Sequence, residues 1–410
     1  SKADGTGGVP FGGRVRVYEY NSTNWVQIGD DLLGDGALDS FGNRVGLSSN
    51  GKLLVVAANK FGNNDAGVVR VYEEIDRVWT QLAQDLAGDE DFAWYGSDVM
   101  ISTDGTERVF IAGGETSATG VFAGIVRAFE YKPRKLEWVQ VGEDLTDFAF
   151  SAATQVSRTH HETLEANLGV SDNGLILAIG TPLSTNTAGD ESAGAVRVYE
   201  YVARAWSLRG TVFENDDADD LFGSAVAVSG DGTRVAIGVP GYNNGVGRVV
   251  VYEWNEGVWD SKGSITGERR YDAFGVSVAL STDGIILAVG APGFDGDVQD
   301  DGWGEDAGST RIFDYVGSEW IERGSALVGE AAGDSAGSSI GLSGDGTRVI
   351  VGSVGNDGGA LGIIVDSGAA RVYEWSSTGP TPQMPPPPPP SPLPTHPPLP
   401  PPSPPSPPFP

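Results

Sequence analysis

The chain contains no cysteine, which excludes disulfides, zinc–thiolate sites and cysteine nucleophiles together. That absence gives no redox clue, since a large β core needs no disulfide in either compartment. Histidine is scarce, limited to His160, His161 and His396. The first two are adjacent, and adjacent side chains on an extended segment point to opposite faces, a poor geometry for chelating a metal. The chain has no Gly-x-Ser-x-Gly elbow and no His-Glu-x-x-His motif. No apolar run approaches the roughly 20 residues of a membrane helix, so no membrane span is expected. Basic residues are few: 26 Lys and Arg stand against 56 Asp and Glu, a formal net charge of −30. Such a surface repels phosphate backbones, so a nucleic-acid partner is not expected, whereas cations such as calcium would be drawn to it. No signal peptide is visible. Ser1 falls in the middle of a repeat unit and reads as the start of a mature or trimmed chain.

What the chain has in abundance is glycine, 60 residues, and a repeated phrase. Arg-Val-Arg-Val-Tyr-Glu-Tyr (14–20) returns, varied, at 68–74, 125–131, 195–201, 248–254, 309–315 and 369–375. Its central aromatics are Tyr18, Tyr72, Phe129, Tyr199, Tyr252, Phe313 and Tyr373, spaced by 54, 57, 70, 53, 61 and 60 residues. A near-constant period decides the architecture before any local reading can.

Each unit carries four strand signals, here called A to D. In the unit 274–325, residues 274–280 alternate apolar and small residues (A). A Ser-Thr-Asp-Gly turn follows at 281–284. The continuous apolar run 285–290 fits a strand buried on both faces (B). After a long loop come 309–315 (C) and 319–324 (D). Trp25, Trp79, Trp138, Trp206, Trp259 and Trp320 fall at one position of strand D, where packing between sheets is the expected role. Repetition of four antiparallel strands predicts an all-β fold, a β-propeller of four-stranded blades, over residues 1–375.

The run Phe-Gly-x-x-Val, Asp-Gly, Ala-Val-Gly-Ala-Pro, Gly-x-x-Arg-Val-Tyr resembles the FG-GAP repeats of integrin α-subunit propellers. It is still more similar to the Val-Tyr-Glu and Trp repeats of propellers in large secreted and surface proteins of algae and protists. The resemblance implies the propeller fold and an extracellular, cell-surface setting. It does not carry the family's calcium loops across. The A–B connections here are short turns that cannot supply the six to eight oxygens calcium takes. Asp39, Asp220, Asp272 and Asp334, each just before strand A, read as turn or capping residues.

The inventory is six A–B pairs, seven C strands and six D strands. Six blades are expected, with A–B from 338–354 joining C–D from 14–29 in a blade shared by both chain ends. Seven blades, the first incomplete, is the rival count. One C strand is surplus in the six-blade scheme. An unpaired strand edge is a template for another chain. Head-to-tail self-association into a filament is therefore expected, through Ala369–Trp375 with Arg371, Tyr373 and Trp375 and the tail, docking near 14–29, with a monomer whose extra strand caps its own last blade as the competing reading.

Composition changes after Trp375. Residues 376–379 read as a hinge, and 380–410 hold 20 of the 25 prolines, a polyproline II tail. A bare linker, an SH3 or WW ligand and a glycosylated stalk compete for this segment. The Ser-Pro-Pro repeats are similar to hydroxyproline-rich glycoproteins, which implies covalently attached glycans. Candidate positions are Pro385, Pro386, Pro387, Pro388, Pro389, Pro390, Ser403, Pro404, Pro405, Ser406, Pro407 and Pro408. Asn21-Ser22-Thr23 is an N-glycosylation sequon in a C–D turn.

No cofactor is required by any motif. Calcium is the one ion the acidic loops suggest, through Asp295, Asp297, Asp300, Asp301 and Asp306, with solvated surface charge as the competing reading. Glu214 to Asp220 forms a second acidic stretch. Two functions are weighed. One is a non-enzymatic structural or adhesive extracellular protein, a propeller bead on a glycosylated stalk in a filament, coat or cell wall. The other is a secreted propeller enzyme acting on glycans, with a wall-anchoring tail. The enzyme should gather a non-repeated set of acids, bases and arginines at its axis. The recurring strand-C arginines (Arg16, Arg70, Arg127, Arg197, Arg248, Arg311, Arg371) are repeated and so read as structural. No other cluster is evident along the chain, which favours the structural reading.

Overall fold

A computed structural model describes residues 12–381 except 37, 63, 90, 92, 103–107, 117–121, 149–165, 216, 296–305, 357–367 and 377–378. Six antiparallel sheets of four or five strands follow one another as a β-propeller, each in the order A-B-C-D. The A strands are Arg44–Leu47, Asp98–Ile101, Asn167–Val170, Ala225–Val228, Ser277–Leu280 and Ala336–Leu342. The B strands are Leu53–Ala58, Arg108–Thr116, Ile176–Thr181, Arg234–Val239, Ile286–Ala291 and Arg348–Ser353. The C strands are Val68–Ile75, Phe122–Lys132, Ala195–Val202, Arg248–Asn255, Ser309–Val316 and Ala369–Ser376. The D strands are Val78–Gln81, Glu137–Gln140, Ala205–Leu208, Val258–Thr266, Glu319–Glu322 and Gly379–Thr381. Among the described residues the one helical stretch is the single turn Tyr242–Gly245.

The B strands are buried because a sheet lies on either side of them. Every residue of Leu53–Ala58, Ile176–Thr181 and Ile286–Ala291 is buried, as the unbroken apolar runs require. The A–B turns are knotted by their own polar residues. Ser229 Oγ donates to Asp231 Oδ1 at 2.7 Å and accepts from the Arg234 amide at 2.9 Å. Asp231 also accepts from the Thr233 amide at 2.8 Å, and Gly232 takes the positive φ (73°) that closes the turn.

Two side-chain staples join successive blades. The indole N–H of four D-strand tryptophans donates to a backbone carbonyl of the blade before it: Trp138 to Leu82, Trp206 to Val141, Trp259 to Arg209 and Trp320 to Lys262, at 2.8–3.1 Å. The tryptophans thus pack between sheets. The strand-C arginines form the second staple. Arg127 pairs with Asp144 of its own blade at 3.0 Å and with Asp89 of the preceding loop at 2.6 Å. Arg70 does the same with Asp85 and Asp35, and Arg311 with Glu322 and Glu268. A backbone bridge accompanies them, in which Gly247 at the head of strand C lies against Phe274 of the next blade. Gly247 has φ 78°, and a Cβ there would collide with the Phe274 backbone.

The shared-blade closure does not occur. The last sheet completes itself: Ala369–Ser376 pairs with Arg348–Ser353 on one side and with Gly379–Thr381 on the other. Residues assigned from sequence to the hinge and tail therefore supply its D strand. Pro380 is tolerated there because an edge strand needs no N–H on its outer side. Arg14–Tyr20 and Trp25–Leu33 instead form a separate two-stranded sheet ahead of the six blades. The surplus C strand is thus at the start of the chain. Arg371, Tyr373 and Trp375 are engaged at home. Arg371 pairs with Glu330, and the two aromatics pack on the core between the last two sheets.

Candidate functional site

The A strands of successive blades neighbour one another, so their free edges face the propeller axis. One side-chain position varies at the start of these strands. It is the second x of Phe-Gly-x-x-Val, and the pairing register fixes it. Arg44 lies opposite Ala57, Asp98 opposite Ala112, Asn167 opposite Gly180, Ala225 opposite Gly238, Ser277 opposite Gly290 and Ser339 opposite Gly352. Half the ring is small or hydroxylated. The other half carries a cation, an anion and an amide on three consecutive blades.

Arg44 Nε lies 3.8 Å from Asp98 Oδ1, with the arginine side chain about half exposed and the carboxylate largely covered. Asp98 is held firmly. Its Oδ2 accepts from the Leu168 amide of the next blade at 2.8 Å, and its Oδ1 from the Val99 amide at 2.9 Å. Asn167 Nδ2 donates to the Gly223 carbonyl one blade further on, at 3.3 Å. Asn43, beside Arg44, donates likewise to Gly96 at 3.2 Å. The inner strands are thus laced together by the side chains that line their starts. A carboxylate fixed by two backbone donors beside a partly exposed guanidinium can orient a water and polarise a carbonyl or hydroxyl.

The aspartates before strand A are buried turn residues. Asp39 accepts from the Gly36 amide at 2.6 Å, Asp272 from the Arg269 amide at 3.0 Å, and Asp334 from the Glu330 and Ala331 amides at 2.9 and 3.1 Å. Asp220 accepts from Asn215 Nδ2 at 2.6 Å. Burial pushes the Asp39 and Asp220 carboxyls up and that of Asp272 to about 6. In the acidic loop, Asp295 Oδ1 accepts from the Asp306 amide at 3.3 Å. Asp297, Asp300 and Asp301 lie outside the described residues. Among the described residues no group of three or more His, Asp or Glu is placed to hold a metal ion. In the other acidic stretch, Glu214 accepts from the Thr187 hydroxyl at 2.9 Å. Asn21 is exposed, and its Oδ1 caps its own turn by accepting from the Thr23 and Asn24 amides at 3.1 and 2.8 Å. Pro385 to Pro390 and Ser403 to Pro408 lie outside the described residues, as do His160, His161 and His396.

The chain matches no protein-family model and no curated protein. Solved structures do match. A putative 6-phosphogluconolactonase from Bacteroides uniformis superposes with a TM-score of 0.56 at 11% identity, over 90% of each chain. Another from Bacteroides fragilis gives 0.53 at 12%, over 90% of this chain and 92% of that one. A protein from Lactobacillus plantarum gives 0.53 at 11%, over 90% and 94%. The likeness at this identity is one of fold, and it makes the chain a β-propeller. Membership of the FG-GAP family does not follow from it.

The expectation of a filament or coat subunit does not survive. Two of the matched propellers bear the name of an enzyme. A propeller enzyme is expected to gather a non-repeated polar set at its axis. Arg44, Asp98 and Asn167 are such a set. They escaped notice because they lie 54 and 69 residues apart in the sequence. The signal was the variable position inside a repeated phrase.

Proposed function

We propose that this propeller is a hydrolase of carbohydrate lactones or esters, with its site at the start of strands A around Arg44, Asp98 and Asn167. The carrying observation is the 3.8 Å Arg44–Asp98 pair, set on the axis where other blades place Ala225, Ser277 and Ser339. In this reading Asp98 takes a proton from water as the water oxygen attacks the carbonyl carbon. Arg44 stabilises the oxyanion that forms. The bond from the carbonyl carbon to the ring or ester oxygen then breaks, and that oxygen receives the proton from Asp98. Asn167 positions a substrate hydroxyl. The net charge of −30 favours neutral sugar lactones over phosphorylated ones.

The test is hydrolysis of glucono-δ-lactone and its 6-phosphate by the full chain, followed by acid release. Asp98→Asn should lower kcat/KM by about 100-fold or more with the fold intact by circular dichroism. Arg44→Met should act mainly on kcat. Equal rates in wild type and both variants would overturn the assignment. The same reading places the enzyme outside the cell, held by a proline-rich tail that carries sugars on hydroxyproline. Unmodified proline throughout residues 380–410 of native protein would refute that part.

A further inference from the structure

One blade-to-blade interface is missing its inner half. Hydrophobic clusters join each sheet to the next, from the two-stranded sheet 14–33 to the last blade. Among the described residues none joins the last blade back to the first sheets. The repeat shows what such a face normally touches. Consider the B-strand residue that pairs with the neighbour just before each central strand-C aromatic. It is Val55, Phe110, Ala178, Ala236, Ala288 and Ile350 in the six blades. The first five are 0% exposed, because the next blade's inner strands cover them, while Ile350 is 44% exposed.

The opposite wall shows the same defect. The A-strand apolar residue that packs on the preceding blade is 2% exposed at Val99, 4% at Leu168 and 7% at Val226, but 51% at Val45. Leu47 is exposed where Ile101 is buried. The strand Arg14–Tyr20, whose sheet packs on the first blade, pairs among the described residues only with Trp25–Leu33. It has a C–D pair and no A–B pair. Tyr18 is accordingly exposed where Tyr72, Tyr199 and Phe313 are buried.

We propose that this face binds a β-hairpin with the A–B pattern of the same repeat, which adds to Arg14–Tyr20 as its inner neighbour and lies between Ile350 and Val45. The occupant is defined by the interfaces that already exist. It must offer two short apolar strands joined by a Ser-x-Asp-Gly type turn, with small residues where blades touch. Among the described residues no hairpin is spare, since all six A–B pairs sit in their own sheets, and the stretches 149–165, 296–305 and 357–367 contain no Ser-x-Asp-Gly sequence. A second copy would have to dismantle a blade to donate one. Residues 382–410 are too rich in proline to form two paired strands. The hairpin therefore comes from outside residues 12–381, as a sister repeat. Its gain is the burial of Ile350, Val45, Leu47 and Tyr18 together with pairing of the free edge.

The test fuses a second copy of residues 274–291 ahead of Ser1 of the full chain, with a shuffled segment of the same length as control. The fused hairpin should slow amide exchange along Arg14–Tyr20 by about 10-fold or more and raise Tm by about 5 °C. Ile350→Asp and Val45→Asp replace residues that are exposed in the unfused chain, so they should leave its Tm nearly unchanged and cancel both gains in the fusion. Exchange and Tm that match the shuffled control would overturn the proposal. So would gains that survive both aspartate substitutions.

Discussion

The indole N–H of Trp206 donates to the carbonyl of Val141 at 3.1 Å, across the boundary between two blades. Phe110 meets the same indole edge-on, with ring centroids 5.8 Å apart. Trp206→Phe keeps most of the apolar contact and removes the donor. Chemical denaturation should show a loss of about 1–2 kcal/mol. Trp25 is the counterpart in the two-stranded sheet and is exposed. Trp25→Phe should change stability by less than about 0.5 kcal/mol.

Arg127 separates a bond that matters from one that does not. Its bidentate pair with Asp144 is mostly covered, whereas Asp89 is largely in solvent. Asp89→Asn should cost no more than about 0.5 kcal/mol. Arg127→Met breaks both pairs and leaves Asp144 without its fork partner, so a loss of roughly 1–3 kcal/mol is expected. Equal losses in the two variants would contradict the exposure argument.

Two aspartates should tilt the pH dependence of stability in opposite directions. Asp272 is raised by burial from 3.8 to about 6. Between those values the native state holds a proton that the unfolded chain has released. This group's contribution therefore falls as pH rises from 3.8 through 6. Asp345 is lowered from 3.8 to about 2 by donation from the Ser343 hydroxyl and from the Thr347 amide and hydroxyl. Its contribution is present above 3.8 and is lost as pH falls towards 2. Thermal melts from pH 2 to 8 should show Asp272→Asn flattening the slope between 3.8 and 6, and Asp345→Asn flattening the slope below 3.8.

Gly238 in a B strand lies against the backbone of Gly275 in the next blade, and a methyl group at 238 would run into the Gly275 carbonyl. Gly238→Ala should cost about 2–4 kcal/mol through forced separation of the blades. Gly257 has φ 95° and open space around it. Gly257→Ala should cost only the backbone term, about 1–2 kcal/mol. Paired urea titrations would rank the two.

The strands were legible because each is printed several times. The expected B strand at 285–290 is observed at Ile286–Ala291, and the expected C strand at 309–315 is observed at Ser309–Val316. The last D strand was hidden by its proline, since Gly379–Thr381 reads as hinge and tail until Trp375 and Ser376 are seen pairing with it. Closure is hidden by the same proline: without Gly379–Thr381 the last blade reads as one strand short, and the free pair at the other chain end looks like its complement. Arg44 and Asp98 were invisible for a different cause. Repeats draw the eye to what recurs, and a site on the axis is assembled from what does not.

The two staples also share a direction. Tryptophan and strand-C arginine both reach from a later blade to an earlier one: Trp138 to Leu82, Arg127 to Asp89, Arg70 to Asp35. A chain made from its N-terminus therefore presents each new blade to a receptor surface that is already finished. The carbonyls and loop carboxylates wait in place, and the incoming side chains find them. Assembly then resembles the laying of courses of brick, in which every course rests on the one below it.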